Sequence, residues 1–213
     1  MNASGEGLQG HALAAGARPP GRAGVSRARI LAIGGTVRAG SSTERALDIA
    51  LRAAAAAGAS TSILGGEFLA QLPIFDPRAG PANPVQRALA DAVQAADGII
   101  LATPGYHGSL SGVVKNALDT LELTRDDERP YLSGRPVGTI VTADGAQAAG
   151  TTLSALRDII HALRGWPTPF GAALNAGGGL FDDRGECRDP KDAWQLATVA
   201  EQVVEFACMK ARV

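Results

Sequence analysis

Aromatic side chains are scarce in this chain: Phe, Tyr and Trp together make up 4% of its residues. A core must therefore be assembled from Ala, Val, Leu and Ile, and a hydrophobic content of 46% supplies enough of them. Cysteine is nearly missing. Cys187 and Cys208 are the only two in 213 residues, which makes no disulfide framework and reads as reduced thiols in a cytoplasmic protein. No sign of charge dominates. The net charge is −1 and no long block of one sign occurs, so a nucleic-acid or other polyanionic partner is not expected. No apolar run approaches the roughly 18 residues needed to span a bilayer, and residues 1–28 lack the hydrophobic segment of a secretory signal. His11, His107 and His161 stand apart from one another and from the cysteines, so no metal-ligand spacing is present.

What is present is an alternation of two patterns. Residues 1–28, with "ARPPGRAG" near their centre, cannot build a packed face and predict a disordered tail. From Arg29 onward a single domain is expected, over 29–210. Short apolar runs are predicted as strands: "RILAIGG", "STSILGG", "GIILATP", "RPVGTIVTAD" and "PFGAALN". Between and after them lie segments with helical spacing. The first begins on Ser/Thr at 42–43, the second has Asn83 as N-cap and Pro84 at the first helical position, and a long one closes the chain. Strands that are continuous apolar runs predict a parallel sheet covered on both faces. The expectation is a three-layer, doubly wound α/β fold.

In such a sheet, ligands bind beyond the carboxyl ends of the strands. Three segments there are unusual. The first, "GGTVRAGSST", leads into a helix. Free N–H groups at that helix start, the hydroxyls of Thr36, Ser41, Ser42 and Thr43, and the guanidinium of Arg38 together suit a phosphate. An ordinary capped helix would carry some of the same residues. A G-x-G-x-x-G dinucleotide fingerprint is excluded, because Thr36 and Ala39 occupy its second and third glycine positions. The second, "TPGYHG", is expected to end its strand at Pro104. Gly105 and Gly108 would let backbone approach a ligand closely, and Tyr106 and His107 would offer a flat face with polar groups. The third, "TADGAQAAG", brings Asp144, Gly145 and Gln147 to the end of the fourth strand. A planar ring carrying a phosphate accounts for all three.

These residues resemble a known family, the NAD(P)H-dependent FMN reductases. "GTVRAGSST" is similar to that family's phosphate loop. "TPGYHGSLSGVVKNALD" is similar to its Thr-Pro-x-Tyr-x-Gly signature followed by Gly-x-x-Lys-Asn-x-x-Asp, and "TADGAQAAGTTLSALR" departs from the Gly-rich third loop. The resemblance implies a flavodoxin-like, five-stranded parallel sheet of order 2-1-3-4-5. It implies that Thr36, Arg38, Ser41, Ser42 and Thr43 hold the FMN phosphate. Pro104, Gly105, Tyr106, His107 and Gly108 would cradle the ribityl chain and ring, with Asp144, Gly145 and Gln147 beyond. The helix with Lys115, Asn116 and Asp119 is read as structural and subunit-packing, since Val113, Val114, Ala117, Leu118 and Leu121 follow helical spacing.

The implied cofactors are FMN and NADPH (or NADH), and the implied reaction is hydride transfer through the flavin, with no catalytic acid, base or metal demanded of the protein. Arg78, Arg125 and Arg129 are candidates for a 2′-phosphate. The resemblance favours delivery of reduced FMN to a partner flavin-dependent monooxygenase. A reductase of quinones, azo dyes, nitro compounds or metal oxyanions with bound flavin is the alternative, and a flavodoxin-type electron carrier is a rival of another class. Small-molecule substrates and a homodimer or homotetramer are also implied.

Overall fold

A computed structural model describes residues 27–210. Most of the tail expected over 1–28 lies outside the described residues. Ala28 itself is buried, and its carbonyl accepts the Ser60 N–H at 2.9 Å, so the packed structure starts slightly earlier than the composition suggests.

The strands are β1 (Arg29–Gly34), β2 (Ser60–Leu64), β3 (Gly98–Tyr106), β4 (Ser109–Leu110), β5 (Pro136–Ala143), β6 (Trp166–Pro167) and β7 (Ala172–Asn175). The helices are α1 (Ser42–Ala56), α2 (Gly66–Leu69), α3 (Pro84–Ala95), α4 (Gly112–Thr120), α5 (Ala146–Ala162) and α6 (Pro190–Lys210). Parallel pairing runs β2-β1-β3-β5, and both β6 and β7 pair with the far edge of β5. With the hairpin strand β4 set aside and β6 and β7 taken as one interrupted strand, the five parallel strands have the order 2-1-3-4-5, a flavodoxin-like sheet. Pro167 ends β6 and Pro169 lies in the interruption, where a residue without N–H cannot continue a ladder.

Apolar residues cover both faces because β1, β3 and β5 carry consecutive apolar residues that point alternately to the two sides. Ile30 and Ala32 of β1 join one core with Leu47 and Ala50 of α1 and Leu196, Val199 and Val203 of α6. Leu31 and Ile33 join the other core, with Leu89 and Val93 of α3, Val114 and Leu118 of α4, and Leu156 and Ile160 of α5. Helices thus lie on both faces, as a doubly wound sheet requires. The N-terminus of α3 is a full capping box. The Asn83 side chain accepts the Gln86 N–H at 2.8 Å, and the Gln86 side chain accepts the Asn83 N–H at 3.1 Å. Among the described residues, no helix is long and apolar enough to cross a membrane.

Two expectations about strands need correction. β2 is not buried: Ser60 to Ile63 are all exposed, because it is the edge strand and carries Ser-Thr-Ser. β3 does not stop at Pro104 but continues to Tyr106. Proline is tolerated there because β1 last pairs with β3 at Ala102, so beyond it β3 has a parallel neighbour on one side only.

Gly34, where β1 ends, leaves no room for a side chain. It has φ 148°, and a Cβ on it would overlap the Ala102 carbonyl of β3. Gly34→Ala is expected to destabilise the fold by about 2–4 kcal/mol, since neither backbone can yield. A lowered urea midpoint with unchanged slope is the expected reading.

Candidate functional site

β1, β3 and β5 are neighbours in the middle of the sheet, so the loops leaving their carboxyl ends are neighbours too. The register sets the levels: Gly34 faces Ala102, Pro104 faces Thr142, and Ala143 faces Asn175. These loops meet beside the point where strand order reverses, the place where open parallel sheets bind ligands. The three sequence-predicted segments are thereby brought to one edge.

The first loop runs from Gly35 into α1. The Thr36 hydroxyl accepts the Arg38 N–H at 3.1 Å and lies 3.3 Å from the Arg38 carbonyl, a tight local turn. Arg38 is exposed, and it forms no ion pair among the described residues. Ser41 is the N-cap of α1, its hydroxyl oxygen accepting the Glu44 N–H. The backbone N–H groups of Ser41, Ser42 and Thr43 find no acceptor among the described residues. They are the orphan donors of a 15-residue helix, at the positive end of its dipole. The Thr43 side chain does something else: it is buried, and its hydroxyl pairs with that of Thr142 on β5 at 2.7 Å. Thr43 thus offers its amide to an anion, while its hydroxyl ties the first loop to the third.

The second loop is a hairpin that the apolar pattern does not announce. β3 and β4 pair antiparallel through Gly105–Leu110 and Tyr106–Ser109, which leaves a two-residue turn of His107 and Gly108. Both have positive φ, 51° and 86°, the requirement of a type I′ turn. Thr103 pins the base: its hydroxyl accepts the Ser111 N–H at 2.9 Å and donates to the Pro104 carbonyl at 3.0 Å. Ser111 in turn caps α4. Gly105 is needed because a Cβ there would lie 2.9 Å from both Ala143 and the Thr152 hydroxyl. Pro104 is buried, whereas Tyr106, His107 and Gly108 are exposed, with Tyr106 at 53%.

In the third loop Asp144 and Gln147 are exposed, and Gly145, at φ 96°, opens α5. Sequence reasoning missed Asn175. Its side-chain oxygen accepts the N–H of Gly145 at 2.9 Å and of Gly177 at 3.1 Å, tying the third loop to the end of β7. The only signal for it was an Asn followed by "AGGG" at a strand end. Asn116 also has a defined task. It accepts the Phe75 N–H at 2.8 Å and donates to the Pro73 carbonyl at 2.9 Å, anchoring the loop before α3. Lys115 and Asp119 pair with each other at 2.6 Å. Val114, Ala117, Leu118 and Leu121 are buried, in keeping with a structural helix.

Other candidates are not assembled here. Arg78 pairs with Asp76, and Arg125 pairs with Glu122 and Asp126, while Arg129 is half-buried. A concavity of about 240 Å³ lies at the amino ends of β1 and β2, lined by Arg29, Ser60 and Ala96 among others. It is at the wrong end of the sheet for the three loops, whose register locates the site more directly. Cys187 is not a reactive thiol: burial first, then Asp192 and Glu186, push its pKa up to about 11. Its alkylation at pH 8 is expected to be roughly tenfold slower than that of an unperturbed thiol, the smaller thiolate fraction being partly offset by the greater nucleophilicity of a more basic thiolate, checked by timed iodoacetamide labelling and peptide mapping.

Residues 28–178 match the family model described as NADPH-dependent FMN reductase. An FMN-dependent NADPH-azoreductase of Staphylococcus haemolyticus (strain JCSC1435) is 35% identical over 116 residues, which is 54% of this chain and 58% of that protein. The chain thus spans little more than half the length of this curated relative. Among solved structures, FerB, a flavoenzyme NAD(P)H:(acceptor) oxidoreductase from Paracoccus denitrificans, superimposes with a TM-score of 0.69 at 21% identity, covering 84% of this chain and 97% of that one. The apo form of an NADH:FMN oxidoreductase, EMOB, gives a TM-score of 0.63 at 22% identity, over 84% and 88%. These two are likenesses of fold.

Proposed function

Since the chain belongs to the NADPH-dependent FMN reductase family, we propose that it holds FMN as a bound cofactor and uses NADPH to reduce quinone- or azo-type acceptors. The observation that carries the choice of acceptor is the relative of 35% identity, named as an FMN-dependent NADPH-azoreductase. It favours bound flavin over the delivery of reduced FMN to a monooxygenase.

The residues present fit FMN. A phosphate needs several N–H donors converging without acceptors of their own, and the amides of Ser41, Ser42 and Thr43 meet that need. Arg38 stands free on the same loop to share the charge. A flat ring needs accessible main chain to lie against, and the exposed hairpin of Tyr106, His107 and Gly108 offers it. When bound, FMN supplies the two-electron chemistry that side chains cannot.

The protein's own work is then positional. The first loop would hold the phosphate end through amides and Arg38, while the Ser41 hydroxyl, on a buried residue, caps α1. The hairpin presents Tyr106, His107 and Gly108, its geometry held by Thr103 and the paired strands. Asp144, Gly145 and Gln147 border the far side, held by Asn175. Side chains as acids or bases are not required, because oriented backbone dipoles stabilise charge on a ring without moving a proton.

The test uses the purified full chain after gel filtration, with NADPH and either menadione or an azo dye, under anaerobic conditions. Co-eluting flavin, and acceptor reduction without added FMN, are the expected results. NADPH oxidation that occurs only with added free FMN, and saturates with it, would replace this reading by flavin delivery. No NADPH oxidation under either condition would leave only electron carriage or binding.

A further inference from the structure

The phosphate loop already contains an anion of its own. Glu44 lies in the first turn of α1, and its Oε2 accepts the Gly40 N–H at 2.7 Å. Gly40 has φ 67°, so this bond holds a left-handed bend just before the amides of Ser41 and Ser42. The other oxygen, Oε1, lies against the backbone after β2, 3.3 Å from where a Cβ on Gly65 would sit. Glu44 is half-buried, and it has no ion-pair partner among the described residues. A second carboxylate, Glu67, lines the same cleft of about 320 Å³. Both groups add negative potential beside a loop whose amides lack acceptors of their own.

We infer that Glu44 is a specificity-determining residue of this site, a counter-charge that shapes the phosphate loop while limiting how tightly it holds a phosphorylated flavin. The inference rests on the flavin-phosphate reading above. The carboxylate acts in two opposed ways. As an acceptor it fixes the bend at Gly40 and preorganises the amides that follow. As a charge at the same helix start it repels a phosphate dianion, and it competes for the same positive end of α1. Across one loop's width in a half-wet setting, that repulsion is worth about three- to tenfold in affinity. Riboflavin carries no phosphate and feels none of it. The chain therefore discriminates FMN from riboflavin less than its amides and Arg38 would allow.

The test measures FMN and riboflavin affinities of the flavin-stripped full chain by flavin fluorescence, at low and high salt. It compares the wild type, Glu44→Gln and Glu44→Ala, with thermal melts to verify folding. Glu44→Gln keeps an acceptor for the Gly40 N–H and removes the charge. It is expected to bind FMN about three- to tenfold more tightly, to bind riboflavin as before, and to lose most of its gain at high salt. Glu44→Ala also releases the bend and is expected to show a smaller gain than Glu44→Gln. If a folded Glu44→Gln binds FMN no more tightly than the wild type, or tightens both flavins alike, Glu44 is only a helix cap and the inference is overturned. If the wild type prefers FMN over riboflavin at low salt, the phosphate reading stands in either case. If it binds the two equally or not at all, that reading falls and the inference with it.

Discussion

Replacing Arg38 by alanine is expected to weaken FMN binding by about 10- to 100-fold and to leave riboflavin binding unchanged. Arg38 is exposed and unpaired among the described residues, and the Thr36 hydroxyl takes its N–H and so fixes its backbone. Its guanidinium has no internal duty that alanine would disturb. Next to it are orphan amides, which bind an anion by partial charge alone; Arg38 adds the single full positive charge in that loop. A charge-assisted, two-pronged bond to phosphate is lost with it. Arg38→Lys should recover part of the affinity through charge and not all of it, because an ammonium lacks the planar fork. Rising salt should narrow the gap between wild type and Arg38→Ala. Equal loss for FMN and riboflavin would assign Arg38 to the ring or to loop shape, and no loss for either would remove it from the site. Arg38→Ala and Glu44→Gln should move FMN affinity in opposite directions, each without touching riboflavin.

The second large effect is on stability and lies at the other end of the sheet. Arg135 is fully buried at the start of β5, with no carboxylate bonded to it. Its guanidinium donates to the carbonyls of Ala96, Tyr131, Ser133 and Gln94 and to the Gln94 side chain, at 3.1–3.4 Å. One side chain thereby satisfies the end of α3 and the turn before β5 together. Burial first, then the neighbouring Arg129, lowers its pKa to about 10, and Asp97 opposes the shift. The charge and its donors remain intact at neutral pH all the same. Arg135→Ala would strand several carbonyls and open a cavity. A loss of about 3–5 kcal/mol is expected, or roughly 8–15 °C in Tm for a domain of this size. Differential scanning calorimetry measures it directly, and a shift under about 2 °C would mean that water replaces the guanidinium without penalty. Flavin binding by the folded fraction should be unchanged, since the site is at the opposite edge.

Arg135 also shows where sequence reading ends. Nothing in "SGRPVGTIV" distinguishes a buried arginine with main-chain partners from a solvated one. Its partners lie 39 and 41 residues away at Ala96 and Gln94. Asn116 is similar: its position in a helix is legible, but its bonds to Pro73 and Phe75 are not. The hairpin misled for another reason. Pro104 is a local stop signal, and only the open side of β3 allows the strand to pass through it to Tyr106. β2 does not fit the grouping of the strands as apolar runs, because its Ser-Thr-Ser stretch suits the edge position it occupies.

The alternation of apolar runs with helical segments, the capped start of α3 and the glycine- and hydroxyl-rich loops were legible because each follows from chemistry within a few residues. Burial period, cap geometry and φ freedom are local properties, and they suffice for a doubly wound sheet and for naming the loops at its carboxyl edge. Which hydroxyl faces a ligand and which is consumed inside the protein was decided by tertiary structure alone. Thr43 meets Thr142 across 99 residues, and Asn175 reaches Gly145 across 30. A side chain's spare hydrogen bonds depend on which strand ends the register sets side by side, and that is a property of the whole sheet.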